Sequence, residues 1–191
     1  MKTKRQQQAK ILRLFRKIHR TMGIFLFLFF FIVSISGALL GWKKHSGEII
    51  TPKSYKGTSY DFNRWMSLEK LHFISDSLIQ STLSPDYPLS LDKIEVKKDK
   101  GMIKFVYKQD YWGVQLDGAT GELLNLGKRN SDVIENIHDG SIVDNYLGTK
   151  GYFKLFYSSL MGVALFTFSA SGFWLWYGPK RMKKKINNLN N

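Results

Sequence analysis

The chain has 191 residues, no cysteine and a formal net charge of +14 at pH 7. Without cysteine, it cannot form disulfides, thiolate metal sites or iron–sulfur clusters, and it has no Cys nucleophile. So large a positive charge is common in nucleic-acid-binding proteins, and its distribution decides whether that class applies.

The excess charge lies in the two ends of the chain. Residues 1–20 hold eight Lys or Arg and no acidic residue, and residues 178–191 hold five and none. The other 16 basic residues are balanced by all 15 acidic ones. This pattern argues against a nucleic-acid partner and for basic flanks of membrane helices, which stay in the cytoplasm and attract anionic headgroups. We therefore predict that both termini are cytoplasmic.

Two long stretches carry no charged residue. They are Met22–Trp42, with 21 residues, and Leu155–Tyr177, with 23, and about 20 residues cross a bilayer as a helix. Phenylalanines occur on every face of the first stretch, which is unusual for a buried helix of a soluble protein. A cleaved signal peptide has a shorter apolar run, and Ser34–Ser36 is a weak cleavage site. Both stretches are predicted to span the cytoplasmic (inner) membrane, so the lipid bilayer is the first expected partner.

These spans divide the chain into five predicted parts, with the middle part outside the membrane. They are a basic cytoplasmic segment at 1–21, a span at 22–42, an extracytoplasmic domain and linker at 43–154 with its core at about 67–127, a span at 155–177, and a basic cytoplasmic tail at 178–191.

The outer domain is predicted to hold one helix followed by antiparallel strands. Residues 43–63 resemble a loop, and Ser67 can cap a helix whose apolar residues recur every three to four positions until Pro85 ends it. From Leu91 the period changes to two, which indicates half-buried strands separated by turns at 98–101, 109–110 and 117–121. The predicted fold class is membrane α+β, with two transmembrane helices flanking a small helix-plus-sheet domain.

Several motifs resemble one known family. The hairpin from Val114 to Leu124 resembles the PepSY domain, and motifs in and near the spans are similar to PepSY-associated transmembrane proteins. These motifs are H-R-x-x-G (His19, Arg20, Gly23), S-G-A-L-L (Ser36–Leu40), I-H-D-G (Ile137–Gly140), Y-L-G (Tyr146–Gly148) and S-G-F-W-L-W (Ser171–Trp176). Larger relatives have about four spans, whereas this chain has two.

The resemblance leads to two functional hypotheses. The favoured one is a binding or regulatory module, whose outer sheet engages a protein or peptide by adding a strand at its edge. The alternative is a b-type haem protein for electron transfer, similar to a ferric-siderophore reductase component of iron uptake. The second hypothesis would make the protein an oxidoreductase, and the first would not make it an enzyme.

The haem hypothesis depends on the four histidines. His138, His19 and His45 are the candidate ligands of a haem iron, because histidines near helix ends hold haem in the larger relatives. His19 and His45 are 26 residues apart, or about 39 Å along one helix, so they cannot share an iron within one chain. His138 could approach His45, and a second copy could supply the other ligand. Each histidine could instead face headgroups or solvent, as His72 is expected to do.

The remaining polar residues offer little chemistry. No acidic or basic residue lies inside either span, which argues against a transporter, and no hydrolase, P-loop or dinucleotide motif is present. Asp139 and Asp144 could orient His138 or cap turns. The pairs of small residues at Gly37/Gly41 and Ser158/Gly162 predict close packing between the two spans, or else a homodimer.

Overall fold

The computed structural model describes residues 4–187, and the side chains of residues 6–182. These residues form two compact units. The helical unit comprises the described residues up to Ser36 and from Asn136 onward, and the sheet unit comprises Gly37–Glu135. The elements in chain order are α1 (Lys4–Trp42), α2 (Leu68–Thr82), β1 (Leu91–Lys97), β2 (Met102–Tyr107), β3 (Trp112–Asp117), β4 (Leu123–Lys128), α3 (Asn130–Asp139), α4 (Ser141–Leu147) and α5 (Tyr152–Asn187), with short 3-10 turns at Phe62–Arg64 and Lys98–Lys100.

Two helices have the length and composition to cross a membrane, over Gln6–Trp42 and Tyr152–Met182. They contain the two predicted spans, and α1 also continues through the basic segment before Met22. Only 6% and 11% of their most apolar windows are buried within the protein. Apolar side chains that the protein does not cover need another apolar environment, which a bilayer provides.

Within the helical unit, the two long helices meet through large side chains. Phe30 lies 5.6 Å from Phe168 between ring centroids, and Phe15 lies 6.0 Å from Trp174. An added Cβ at Gly162 would meet no described atom within 4 Å. The prediction that Gly162 packs closely against the other span of the same chain is therefore wrong, and the homodimer alternative for this residue stays a prediction.

The sheet unit has the predicted helix and the predicted strands. The sheet is antiparallel in the order β1-β2-β3-β4, and α2 begins after Ser67, whose side chain accepts a hydrogen bond from the Lys70 amide at 3.3 Å. Leu71 and Ile79 of α2 join Phe105, Tyr107 and other strand residues in a buried core. The period-two and period-3.6 patterns identified these elements because each has one face in this core.

The opposite face of the sheet is also covered, which the sequence pattern did not predict. All six residues of β2 are buried, and Lys104 is 4% exposed. The irregular passage before α2 crosses this face, where Gln115 donates to the Lys53 carbonyl at 2.7 Å and accepts from the Tyr55 amide at 3.2 Å. β2 is therefore buried on both faces rather than half-buried, because a segment without periodicity covers it.

The short helices α3 and α4 were not predicted as helices. A tight turn at Gly140, whose φ is +80°, joins them, and an added Cβ there would come within 2.9 Å of Tyr157. The turn after α4 is similar, because Gly148 has a φ of +69°. Glycine adopts such a positive φ without steric strain. The last residues of α3, from Asn136 onward, belong to the helical unit together with α4.

Candidate functional site

Two of the three predicted ligand histidines lie in the helical unit. His19 is on α1 and His138 is near the end of α3, and both side chains are partly buried. His45 lies in the turn after α1 in the sheet unit, where its side chain is exposed and its amide bonds to the Trp42 carbonyl at 2.8 Å. Of the three predicted ligands, only His19 and His138 are therefore partly buried.

His138 is held by a serine of the first span. Its Nδ1 lies 2.9 Å from Ser36 Oγ, and Ser36 is 5% exposed. The Ser36 hydroxyl also lies 2.6 Å from the Ile32 carbonyl oxygen, to which it donates its one hydrogen. Ser36 Oγ must then accept from the imidazole, so Nδ1 of His138 carries the proton.

His19 is held in the same way by a serine of the second span. Its Nδ1 lies 2.8 Å from Ser171 Oγ, and that hydroxyl donates to the Phe168 carbonyl at 2.9 Å. The imidazole also stacks on the Phe168 ring, with centroids 3.9 Å apart. Gly172 lies beside the ring, and an added Cβ there would come into van der Waals contact with its Cε1 at 3.4 Å. Nδ1 of His19 therefore also carries the proton.

The two hydrogen bonds have a shared chemical consequence. A neutral imidazole with its proton on Nδ1 has a lone pair on Nε2. Among the described residues, no hydrogen bond is found to Nε2 of either His19 or His138. Metal-binding histidines commonly donate their other ring N–H to a fixed acceptor, which orients the ring. In its neutral form, each ring therefore has the tautomer and the orientation of a potential metal ligand.

A groove in the helical unit runs beside His138. It has a volume of about 340 Å³ and is lined mainly by apolar side chains, including Phe30, Val33, Tyr157 and Met161. Gly162 also lines it, and its missing side chain leaves space there. This volume is at the lower end of the range for small-molecule sites, about 300–1,000 Å³.

His19 and His138 are too far apart to bind the same atom within one chain. Ser36, the partner of His138, follows His19 by 17 residues on the same helix, which corresponds to about 25 Å. Among the described residues, no group of three or more His, Asp or Glu side chains could hold a metal ion. Each imidazole is therefore a single ligand at its own position along the helices.

The other candidate polar residues have structural roles. His72 stacks on Phe105 with its ring 5.5 Å away, and its side chain is 38% exposed, as expected. Asp139 accepts hydrogen bonds from the amide and hydroxyl of Ser141 and pairs with Lys154 at 2.5 Å. Burial alone would raise the pKa of Asp139, but the bonds from Lys154 and Ser141 lower it below its usual value. These contacts fit the turn-capping alternative.

Asp144 fixes the beginning of α5. It accepts hydrogen bonds from the Thr149 hydroxyl and from the amides of Gly151, Phe153 and Lys154. Burial favours a raised pKa for Asp144, and these donors outweigh it and lower the pKa. The carboxylate thereby satisfies amides that the first turn of a helix leaves without partners.

Sequence analysis identified the histidines but missed their serine partners. Both serines begin a Ser-Gly pair inside an otherwise apolar run, at Ser36 and at Ser171. A hydroxyl that recurs in two membrane helices indicates a specific polar contact, because polar groups there need partners. The sequence could therefore have identified the two serines as candidates for polar contacts. Only the fold shows which histidine each serine contacts.

Two long apolar helices, with a four-stranded antiparallel sheet between them in the chain, and two partly buried serine–histidine contacts indicate the class: this is a membrane protein. The chain belongs to the PepSY-associated TM region family, whose model matches residues 16–189. The family predicted from the sequence motifs is thus confirmed. No curated protein and no solved structure matches the chain.

Proposed function

We propose that the protein is a membrane electron carrier that binds b-type haem through Nε2 of His138 and of His19. The observation that carries this proposal is the matched pair of contacts from Nδ1 to Ser36 and to Ser171. One such contact is an ordinary interhelix hydrogen bond. Two imidazoles with the same tautomer, one on a membrane-length helix and one hydrogen-bonded to that helix, each with a lone pair on Nε2, favour ligand roles.

The described residues would supply one imidazole to a haem iron at each of two positions. A haem held by two imidazoles needs a second histidine at the same depth, and His19 and His138 are about 25 Å apart along the helices. A two-fold symmetric pair of chains brings identical residues together where they lie close to the symmetry axis. We infer that His138 would pair with the partner's His138, and His19 with the partner's His19, in a homodimer.

Each part of the helical unit has a role in this proposal. Ser36 and Ser171 orient the imidazoles and keep the Nε2 lone pairs available. The apolar groove beside His138 would exclude water from a macrocycle, and the absence of a side chain at Gly162 would leave room for it. Haem would supply a one-electron couple at these positions, suited to delivering electrons across a membrane to an acceptor such as ferric iron.

The visible spectrum tests this proposal. We expect purified protein, expressed with sufficient haem, to show a Soret band that shifts on dithionite reduction. His138→Ala and His19→Ala should each remove part of the absorbance, whereas the matched control His72→Ala should leave it unchanged. A colourless wild-type preparation, or a spectrum equally altered in all three variants, would overturn the proposal.

A second candidate function is binding of an extended peptide by the sheet unit. β1 is at the edge of the sheet, and Ile94 and Val96 on this strand are 38% and 52% exposed. An edge strand with exposed apolar side chains can accept another strand by backbone hydrogen bonding.

Peptide display on the full-length protein tests this second candidate. Peptides selected by binding to the protein in nanodiscs should lose affinity for an Ile94→Lys/Val96→Lys variant. The control Leu68→Lys/Phe73→Lys changes two exposed apolar residues of α2 and should retain binding. Failure to select any peptide, or equal loss in both variants, would contradict edge-strand recognition.

A further inference from the structure

Three lysines of the sheet unit converge on one serine. The Nζ atoms of Lys97 and Lys104 lie 3.2 and 2.9 Å from Ser54 Oγ, and Nζ of Lys100 lies 3.1 Å from the Ser54 carbonyl oxygen. Among the described residues, no carboxylate forms an ion pair with any of these three ammonium groups. Like charges gathered so closely repel one another unless an anion compensates them.

The position of Lys104 makes this cluster more than a solvated patch. Its side chain projects from the centre of β2 and is 4% exposed. Burial, followed by the neighbouring charge of Lys97, lowers the pKa of Lys104 to about 8, and Glu95 opposes that change only in part. A buried lysine is rare unless it is paired, because its charge loses solvation.

The cluster lies in a cleft, which we call the lysine cleft. It has a volume of about 850 Å³, and its lining includes seven basic and three acidic side chains. Arg129 in its wall is already paired with Glu95 at 2.9 Å and with Asp132 at 3.0 Å. Glu48 is paired with Lys53 at 3.3 Å, which leaves Asp99 as the third acidic side chain of the lining. The seven basic side chains therefore exceed the three acidic ones, and Lys97, Lys100 and Lys104 contribute to this excess.

An unpaired hydroxyl lies at the wall of the same cleft. Oγ1 of Thr51 is buried and has no hydrogen-bond partner among the described residues. A buried hydroxyl without a partner is uncommon, because it loses the hydrogen bonds that water would supply. The three lysines that line the same cleft could together bind an anion with several acceptor oxygens.

We propose that the lysine cleft is a binding site for phosphate groups. A phosphate offers three or more acceptor oxygens and a charge that compact ammonium groups bind well. Lys43 and Lys44, which line the cleft, directly follow Trp42, the last residue of α1. Two lysines of the cleft therefore directly follow a membrane-length helix in the chain, so phosphate could come from an anionic lipid headgroup or from a soluble anion.

Binding to the full-length protein in detergent tests the site with two probes. Inorganic pyrophosphate is titrated by calorimetry at constant ionic strength, and phosphatidylglycerol is counted as bound adducts by native mass spectrometry, with phosphatidylcholine for comparison. Binding of pyrophosphate identifies a soluble anion, and selective retention of phosphatidylglycerol identifies a headgroup. Either result supports the site.

Two variants with the same change in net charge separate the cleft from general electrostatics. Lys97→Gln/Lys100→Gln/Lys104→Gln should weaken binding about tenfold or more, because it removes three charge-assisted donors. The control Lys56→Gln/Lys70→Gln/Lys108→Gln changes three exposed lysines of the same unit and should weaken binding less than about twofold.

A measurement on the unaltered protein guards against a variant that fails to fold. Pyrophosphate should raise the Tm of the wild-type sheet unit more than chloride does at the same ionic strength, because a ligand of the folded state stabilises it. The absence of both binding and stabilisation, or equal weakening in the two variants, would overturn the proposal.

Discussion

Large apolar side chains are mostly exposed on the long helices of the helical unit and are buried in the core of the sheet unit. In the helical unit, Phe25 and Phe166 are 75% and 76% exposed, whereas in the sheet unit Phe105 and Tyr107 are fully buried. The sheet unit thus supplies its own apolar environment, and the helical unit relies on one that the protein does not contain. Membrane helices gain little from burying apolar groups against one another, so their polar contacts carry more of the specificity.

Buried polar groups also differ between the units. In the sheet unit, Gln115 and Asp117 attach the covering passage to the sheet through hydrogen bonds to its backbone. In the helical unit, the buried hydroxyls of Ser36 and Ser171 each hold a histidine. The first arrangement stabilises a fold, and the second orients a potential ligand.

The largest effect is expected from the core of the sheet unit. Phe105→Ala removes a fully buried ring and should lower the free energy of unfolding of this unit by about 3–5 kcal/mol. Pulse proteolysis in urea, with cleavage followed within the sheet unit, measures the change. The control Val96→Ala alters a half-exposed strand residue and should cost far less. Equal costs would mean that the described core does not stabilise the unit.

A smaller effect is expected where the covering passage touches the sheet. An added Cβ at Gly57 would lie 2.1 Å from the Gly101 carbonyl oxygen, a backbone atom that cannot turn aside. Gly57→Ala should therefore destabilise the sheet unit by about 1–3 kcal/mol. Gly162→Ala, which meets no described atom, should leave the same proteolysis assay unchanged. A neutral Gly57→Ala would indicate that the passage does not pack on the sheet.

Removing the hydrogen-bond partner of a histidine should weaken the binding of haem. In free energy, this effect should be no larger than that of Gly57→Ala on the sheet unit. Ser36→Ala deletes the acceptor of the His138 Nδ1 proton and should weaken haem retention about 10–100-fold, as loss of an orienting partner commonly does. Ser36→Thr, which keeps the hydroxyl, should largely restore retention. If Ser36→Ala and its threonine counterpart behave alike, the hydroxyl does not orient the ligand.

The smallest effect is expected from acid. Hydrogen bonds to Asp117, and the pairing of Asp132 with Arg129, outweigh the effect of burial and lower the pKa of both carboxyls. The unfolded chain therefore binds protons at higher pH than the folded one does, and the stabilisation is present above pH about 4 and is lost as the pH falls through the lowered values. Urea unfolding of the sheet unit between pH 7 and 3 should show this loss, and Asp132→Asn should reduce its slope. An unchanged slope would contradict the role of the Arg129 pair.

Sequence patterns predicted the elements whose faces repeat. The apolar spacing in α2, the alternation in β1–β4 and the uncharged runs in α1 and α5 each follow from a single buried or lipid-compatible face. The capping residue Ser67 and the turn at Asp117 were visible because their side chains bond to the backbone nearby in sequence.

Contacts distant in sequence were not predictable in this way. Lys104 is a polar residue between two apolar ones, a pattern that is typical of a solvent-facing position in a strand. Only the fold shows that residues some 50 positions earlier in the chain cover it. The pairing of Ser36 with His138 links residues 102 positions apart. Local patterns report which face of an element is apolar, and they do not report which segment lies against it.

The haem content of the purified protein tests the central claim most directly. If two imidazoles from two chains hold each haem, a dimer contains two haems, or about one per chain, and either His138→Ala or His19→Ala reduces the content to about half. The double variant should contain none. Wild-type protein without haem, or a double variant that retains it, would contradict the assignment of these histidines.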